Sequence, residues 1–248
     1  MPANYRYINQ TTANGIELHI LKTDASNIMF RNFKKKQSLV DSIFFGVNGG
    51  FFGGDAINIA KCDGVNYGRT DNDNLGGGII TWDGSSLHCY NNSSMRNVET
   101  VLSTNEKGTW AQGGYSMFLG ASDARERSLA EVNDNDRGYL TDPADGKTAL
   151  VADMSTDTVY LIAARDENDE NTITFTDFRR AIQYYLNIPE GSTPSSRYKG
   201  LMLDGGGSDP APGSTQLRGK KTNGSIVTVS TSGYKRPLCQ VIVMRDAT

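Results

Sequence analysis

The sequence is poor in the residues that build metal and disulfide sites. Its 248 residues include two histidines and three cysteines. The cysteines, Cys62, Cys89 and Cys239, are too widely spaced for a metal motif or a disulfide framework, although a single bridge stays open. His19 and His88 lie in predicted strands without companions, so we interpret them as structural or surface residues. No cofactor is required by these residues, and a divalent cation is left open.

The net charge is small, and long apolar runs are missing. A formal net charge of -3 argues against a nucleic-acid polymer as partner, because such domains usually carry a basic excess. The short basic clusters at 31–36 and 218–221 are typical of solvated surface. No apolar run approaches the roughly 18 residues of a membrane span. The first ten residues lack the pattern of a signal peptide, which predicts a cytoplasmic protein, or a secreted one if a signal has been removed.

Familiar catalytic motifs are absent as well. The sequence contains no G-x-S-x-G elbow, P-loop or Rossmann fingerprint. The acidic segment 166–177, DENDENTITFTD, has Asp166, Asn168 and Glu170 at alternate positions and Asp177 at the twelfth, like a calcium loop. However, its sixth residue is Asn171 instead of glycine, and a strand precedes it where a helix is expected. We interpret this segment as a solvated acidic turn.

What is abundant points to a sheet-rich fold. Twenty-seven glycines against seven prolines indicate tight turns and close backbone approaches. Alternating or short apolar runs predict strands within 5–21, 43–47, 78–90, 110–119, 148–153, 158–164, 224–229 and 238–244. Segments 55–78 and 120–146 are polar or charged and are predicted to be loops. Residues 178–187 repeat apolar side chains at helical spacing, with Thr176 or Asp177 as the cap. We therefore predict one α+β domain over 1–248, a mainly antiparallel mixed sheet with one or two amphipathic helices.

The chain is organised around a strand that runs into glycines. The apolar residues 201–203 end at Asp204, which places a carboxylate at the rim of a sheet. Gly205, Gly206 and Gly207 follow, and their successive N–H groups favour an anion nest, with the Ser208 hydroxyl as a further donor. The alternative is a glycine-rich turn between two strands, capped by an aspartate.

A second strand ends in the same way. Residues 43–47 lead into Asn48, Gly49, Gly50 and the aromatic pair Phe51 and Phe52. Because strand ends often meet at one rim, we expect Asn48 to face Asp204 across a shared pocket. The alternative is that the two glycines only allow the two phenylalanines to pack in the core.

Together these segments resemble the phosphodiester glycosidase family. The strongest match is LDGGGS at 203–208 after a buried strand, and the second is VNGGFF at 47–52. The remaining pieces follow in the family's order, from Gly15 to Met244: the glycine pair Gly113–Gly114 before an apolar strand, KTALV at 147–151, TITF at 172–175 before the helix, and Arg236–Pro237 before the last strand.

The resemblance implies hydrolysis of a sugar-1-phosphodiester at the glycosidic carbon. Asp204 would be the catalytic carboxylate, and Asn48 would orient a sugar hydroxyl or the phosphate. Lys147 and Arg236 would donate to the phosphate. Further phosphate or substrate contacts would come from Gly49, Gly50, Gly114, Gly205, Gly206, Gly207 and Ser208. A second carboxylate is not fixed by the sequence; the candidates are Asp63, Asp153 and Glu17.

Three departures from the family pattern bear on the substrate. Lys147 stands where the family has arginine, which keeps the charge and loses the bidentate fork. Glu170 falls near an expected serine, and Asp209–Pro210 replaces small hydroxyl residues. The alternative function is therefore a pocket that binds or sequesters a nucleotide, nucleotide-sugar or other phosphorylated small molecule, for example in a phage-encoded protein. A structural carbohydrate-binding module is a third reading, disfavoured because it gives the charged pocket residues little purpose. The oligomeric state is unknown from the sequence.

Overall fold

A computed structural model describes residues 4–12, 15–51, 58–68, 77–91, 106–132, 138–141, 146–165, 173–205, 214–231 and 235–246. Within these residues the chain forms fifteen strands and three α-helices. The strands are β1 Tyr5–Thr11, β2 Glu17–Asp24, β3 Ile28–Asn32, β4 Gly46–Asn48, β5 Ala60–Cys62, β6 Val65–Asn66, β7 Gly78–Trp82, β8 Leu87–Asn91, β9 Trp110–Ser116, β10 Gly146–Asp153, β11 Thr158–Arg165, β12 Tyr198–Met202, β13 Gln216–Lys220, β14 Ile226–Ser230 and β15 Gln240–Met244. The helices are α1 Ala124–Glu131, α2 Gly138–Thr141 and α3 Phe175–Leu186.

The strands form two sheets. The larger has the order β1-β2-β11-β10-β12-β9-β5-β6, with β7 also on β9 and β8 on β7, and the smaller has the order β14-β13-β4-β15-β3. Neighbouring strands in both sheets pair antiparallel. The predicted α+β class with mainly antiparallel sheet is therefore confirmed, as are the hairpins β1-β2, β7-β8 and β10-β11.

The core lies on both faces of the larger sheet. On one face, Leu150 and Leu161 pack with Val47 and Ile242 of the smaller sheet. On the other face, Ala149, Val151 and Ile162 pack against the apolar side of α3. A strand covered on both faces carries apolar residues at successive positions, which explains the nearly continuous apolar run of β10.

The predicted buried strand over 43–47 is largely wrong. Only its last two residues belong to β4, and Ile43 is 67% exposed. The Phe44 and Phe45 rings lie under the guanidinium groups of Arg31 and Arg218, at 5.2 and 5.1 Å. These rings are covered by cations at the surface, so their apolar character does not require a ladder position.

The helices also differ from prediction. Segment 120–146 contains α1 and α2, although it was predicted to be a loop. Helix α1, ARERSLAE, buries only Ala124 and Ser128, so it has almost no apolar stripe to reveal it in the sequence. The predicted helix at 178–187 exists as α3, but it starts at Phe175, and Thr174 is its cap, accepting a hydrogen bond from the Asp177 N–H at 3.1 Å.

No helix in the described segments is long and apolar enough to cross a membrane.

Candidate active site

The two strands that run into glycines meet at the edge shared by the two sheets. Asp204 follows β12 of the larger sheet, and Asn48 ends β4 of the smaller one. The Leu203 N–H donates to Thr148 O at 2.8 Å, and the Asp204 N–H donates to Gly49 O at 3.3 Å. The structure therefore brings Asn48 and Asp204 together, but in direct contact and not across the expected pocket.

Asn48 joins the strand ends through its side-chain amide. Its Nδ2 donates to Asp204 O at 2.7 Å and to Gly49 O at 3.3 Å. Its Oδ1 accepts from Thr148 Oγ1 at 2.8 Å and from the Gln216 N–H at 2.9 Å. Both amide hydrogens and both lone pairs are thus used, and the residue is only 1% exposed. The geometry gives Asn48 a positioning role; direct contact with a substrate stays a prediction.

The Asp204 carboxylate is buried and incompletely paired. The residue is 9% exposed. Its Oδ1 accepts from the Gly205 N–H at 3.0 Å, whereas Oδ2 is buried and has no hydrogen-bond partner among the described residues. Burial raises the pKa of Asp204 to about 6, against the opposing effects of the Ser214 hydroxyl, the Arg236 charge and the Gly205 N–H. An acid with this pKa can take up or release a proton near neutral pH.

Arg236 is held beside this acid by backbone and side-chain contacts. Its Nη1 donates to Ser214 Oγ at 2.8 Å, and its carbonyl accepts from Gln216 Nε2 at 2.7 Å. The Ser214 N–H in turn donates to Gly205 O at 2.7 Å. Ser214 therefore lies between the Arg236 guanidinium and the Asp204 carboxylate, and Arg236 is partly exposed to solvent.

Lys147 belongs to the same cluster. It lies in β10, next to Thr148, and is buried. A Cβ added at Gly205 would lie 3.1 Å from Gly146 O and 3.8 Å from Lys147 Cδ. The lysine stem thus runs alongside Gly205, and a side chain at that position would crowd it.

Gly49 is required by a close approach to β15, whereas a Cβ on Gly50 would lie 3.1 Å from Gln112 Nε2. A Cβ on Gly49 would lie 1.8 Å from Gln240 Oε1. The Gly49 N–H donates to Gln240 O at 2.9 Å, and the Gly50 N–H donates to Gln240 Oε1 at 3.0 Å. Both amides are therefore engaged within the protein, and their predicted contact with a phosphate remains a prediction.

The other predicted glycines fall in two groups. Gly114 lies in β9, where an added Cβ would be 2.6 Å from Met202 O. Tight packing against β12 therefore explains the glycine at this position, and its substrate contact stays a prediction. The donors Gly206, Gly207 and Ser208, like Asp209–Pro210 and Glu170, lie outside the described residues. Phe51 is a core residue, and its ring is tilted against the Tyr115 ring with 4.7 Å between the centroids. Phe52 is outside the described residues.

The candidates for a second carboxylate are each bound elsewhere. Asp63 pairs with Arg245 at 2.7 Å, Asp153 with Arg197 at 2.6 Å, and Glu17 with His19 at 3.6 Å. Asp153 closes the end of β10 opposite Lys147, about 20 Å away along an extended strand. Within the part of the chain that the structure describes, no carboxylate is recorded in contact with Asp204, and no three His, Cys, Asp or Glu side chains form a metal-binding group.

Several residues of the cluster were missed from the sequence. Each is a buried polar residue, and no motif marks it. They are Thr148, Ser214, Gln216 and Gln240.

The fold that carries this cluster is shared with a glycosidase catalytic domain. No protein-family model and no curated protein sequence matches the chain. Among solved structures, the catalytic domain of zebrafish N-acetylglucosamine-1-phosphodiester alpha-N-acetylglucosaminidase, auto-inhibited by its pro-peptide, is similar. The TM-score is 0.64 at 13% identity, and the match covers 98% of this chain and 83% of that chain. At this identity the likeness is one of fold.

Proposed function

We propose that the protein is a hydrolase that cleaves the glycosidic bond of a sugar-1-phosphodiester, releasing the free sugar and a phosphomonoester. The observation that carries this proposal is Asp204, a buried carboxylate beside Arg236 whose pKa is raised to about 6 and whose Oδ2 has no hydrogen-bond partner among the described residues. The fold shared with a glycosidase domain whose name states action on a sugar-1-phosphodiester supports the reaction class.

Asp204 would activate the attacking water. The water oxygen bonds to the anomeric carbon while the bond from that carbon to the phosphate oxygen breaks, and its electron pair leaves with the phosphate. Asp204 takes the proton that the water loses and returns it to solvent. Because a phosphate is a good leaving group, it needs no second carboxyl group to protonate it, and Asp204 alone is enough. This agrees with the lack of a second carboxylate in contact with Asp204 among the described residues.

Positive charge would stabilise the leaving phosphate. Arg236 is fixed through Ser214, and Lys147 runs beside Gly205. The Arg236 charge acts on Asp204, and the Lys147 stem runs beside Gly205, so the two residues favour an anionic group in the reacting bond. Asn48 would act indirectly, by fixing the backbone of Asp204 through its 2.7 Å hydrogen bond.

The proton-transfer role sets the pH dependence. Asp204 must be ionised to accept a proton, so kcat/KM should rise as pH passes through about 6 and level off above it. A profile that instead falls through this range would make Asp204 a general acid.

The reaction is tested by incubating the protein with a UDP-linked sugar and measuring free sugar. Asp204→Asn should abolish release, whereas Asp123→Asn, at an exposed surface ion pair with Arg127, should behave like the wild type. A folded Asp204→Asn variant that keeps its activity would remove Asp204 from the mechanism. Recovery of the ligand intact but bound, after denaturing the complex, would favour a sequestering protein over an enzyme.

A further inference from the structure

Two glutamine side chains meet between the two sheets, beside Gly49 and Gly50. Gln112 lies in β9 of the larger sheet and is fully buried, and Gln240 begins β15 of the smaller sheet and is 1% exposed. Gln240 Nε2 donates to Gln112 Oε1 at 3.1 Å, and Gln112 Nε2 donates to Gly113 O at 2.8 Å. The pair therefore joins one sheet to the other through side-chain amides that are shielded from water.

Gln240 fixes two successive peptide N–H groups of the glycine pair. Its main-chain carbonyl accepts from the Gly49 N–H at 2.9 Å, and its Oε1 accepts from the Gly50 N–H at 3.0 Å. A Cβ on Gly49 would lie 1.8 Å from Gln240 Oε1 and 2.4 Å from Gln240 Cδ. The glutamine amide thus fills the space that a side chain at position 49 would need.

Gly49 connects Gln240 to Asp204. Its carbonyl accepts from the Asp204 N–H at 3.3 Å and from Asn48 Nδ2 at 3.3 Å. Asn48 Nδ2 also donates to Asp204 O at 2.7 Å, so the Asp204 backbone has two anchors, and Gln240 fixes one of them. Without the Gln240 side chain, the buried Gly50 N–H would lose its acceptor, and the peptide would have to move to find another.

We propose that Gln240, supported by Gln112, is a positioning residue for Asp204 that keeps its carboxylate fixed and shielded from water. Its effect on turnover rests on the proposed hydrolase function, whereas its effect on the protonation of Asp204 does not. Burial is the largest cause of the raised pKa of Asp204, so a change that admits water to the carboxylate should lower that pKa. The charged side chains beside Asp204 are Arg236 and Lys147, and a neutral substitution of Gln240 changes neither of them.

The first test is turnover in Gln240→Met, which keeps the approximate length of the side chain and removes its amide. With a UDP-linked sugar as substrate, kcat should fall about tenfold and KM should stay within about twofold, because the base is misplaced in the reacting complex. The rising limb of kcat/KM should move about one pH unit lower. A smaller folded fraction lowers the rate but does not move this limb, provided that circular dichroism shows the variant folded across the pH range.

Urea unfolding tests the same role without turnover. Because the folded state raises the pKa of Asp204 to about 6, the wild type loses stability as the pH rises from about 4 to about 8. Gln240→Met should lose roughly half as much over this range. In an Asp204→Asn background, Gln240→Met should leave the pH dependence of unfolding unchanged. If the wild type releases no sugar, the hydrolase proposal fails, and the unfolding data still decide the role of Gln240.

Asn58 offers a matched control at the same place. It is 1% exposed, a Cβ on Gly50 would lie 3.4 Å from Asn58 Cβ, and its amide atoms have no hydrogen-bond partner among the described residues. Asn58→Ala should therefore disturb packing beside Gly50 without moving the limb or the pH dependence of unfolding. The proposal is overturned if Gln240→Met folds and keeps both at their wild-type values, or if Asn58→Ala changes them to the same extent.

Gln112→Met is the milder variant. It leaves the hydrogen bond from the Gly50 N–H to Gln240 in place, so it should move the limb in the same direction as Gln240→Met but by less. If Gln240→Met does not fold, this variant decides: a wild-type limb and a wild-type pH dependence of unfolding in Gln112→Met would then overturn the proposal.

Discussion

Two aspartates at opposite ends of the β10-β12 pair have pKa values shifted in opposite directions. Asp153 and Asp204 are both buried, at 2% and 9% exposure. Burial pushes the pKa of Asp153 upward, but hydrogen bonds from Arg197 and Ser155 outweigh it and hold the pKa at about 2. Burial also raises the pKa of Asp204, and there the opposing donors are too few, so it stays at about 6.

The number of donors decides the difference. Asp153 accepts from the Arg197 guanidinium at 2.6 and 3.0 Å and from the Ser155 hydroxyl at 2.7 Å. Asp204 accepts from the Gly205 N–H at 3.0 Å, the Ser214 hydroxyl also lowers its pKa, and its Oδ2 has no hydrogen-bond partner among the described residues. Asp153 is thus built for stability, whereas Asp204 keeps the basicity that proton transfer needs at the expense of stability.

The largest effect that should separate the two acids is on activity. Asp204→Asn removes the proposed base, so sugar release should fall on the order of 10³-fold. Asp153→Asn, changed at the opposite end of β10, should stay within about threefold of the wild type where both variants are folded. Rates of free-sugar release, with folding checked by circular dichroism, measure both. A comparable loss in Asp153→Asn would return Asp153 to the candidates for a second catalytic carboxylate.

The next effect is the loss of stability in Asp153→Asn. A pKa lowered to about 2 means that the ionised acid favours the folded state, so its contribution is present above pH 4 and is lost as the pH falls through about 2. Asp153→Asn should therefore lower the free energy of unfolding by about 2 kcal/mol at pH 7. Urea unfolding at pH 7 measures this, and an unchanged midpoint would contradict the role of the Arg197 pair.

Asp204→Asn should change the free energy of unfolding in the opposite direction. Because the folded state raises the pKa of Asp204 to about 6, it favours the protonated acid. The wild type then loses stability as the pH rises from about 4 through 6. The variant does not titrate, so at pH 8 it should be more stable than the wild type by as much as about 3 kcal/mol, with the gap closing near pH 4. Urea unfolding at both pH values is the measurement. Destabilisation of the variant at pH 8 would show that Asp204 is a structural acid like Asp153.

Part of this arrangement was visible in the sequence. Asp204 and Asn48 stand directly after apolar runs and before glycines, and that local pattern placed both at a sheet edge. Their partners Thr148 and Gln216 were invisible, because they lie 100 and 168 residues from Asn48. Only the register of β10, β4 and β13 brings them together, and no local pattern encodes that register.

The same limit explains the errors in the fold. The β10 and β11 strands were found because two buried faces leave an apolar run. The apolar run 43–47 predicts a strand, since nothing in the sequence says that Arg31 and Arg218 cover the Phe44 and Phe45 rings. Helix α1 was missed because its buried positions are an alanine and a serine.

The smallest effect tests what keeps Asp204 from an even higher pKa. The Arg236 charge opposes the effect of burial, so Arg236→Gln should move the rising limb of kcat/KM to higher pH. The shift should be smaller than the effect of burial, which is the largest cause acting on the pKa of Asp204. Arg236→Lys keeps the charge and should restore most of the wild-type limb, although the fork to Ser214 is lost. The pH profiles of the three proteins at one low salt concentration measure this, because salt screens a partly exposed charge. If the rising limb of the pH profile does not move in Arg236→Gln, the hydrogen bonds from the Gly205 N–H and Ser214 are alone in opposing the effect of burial on the pKa of Asp204. Asp153 and Asp204 would then differ in their hydrogen bonds and not in the charge beside them.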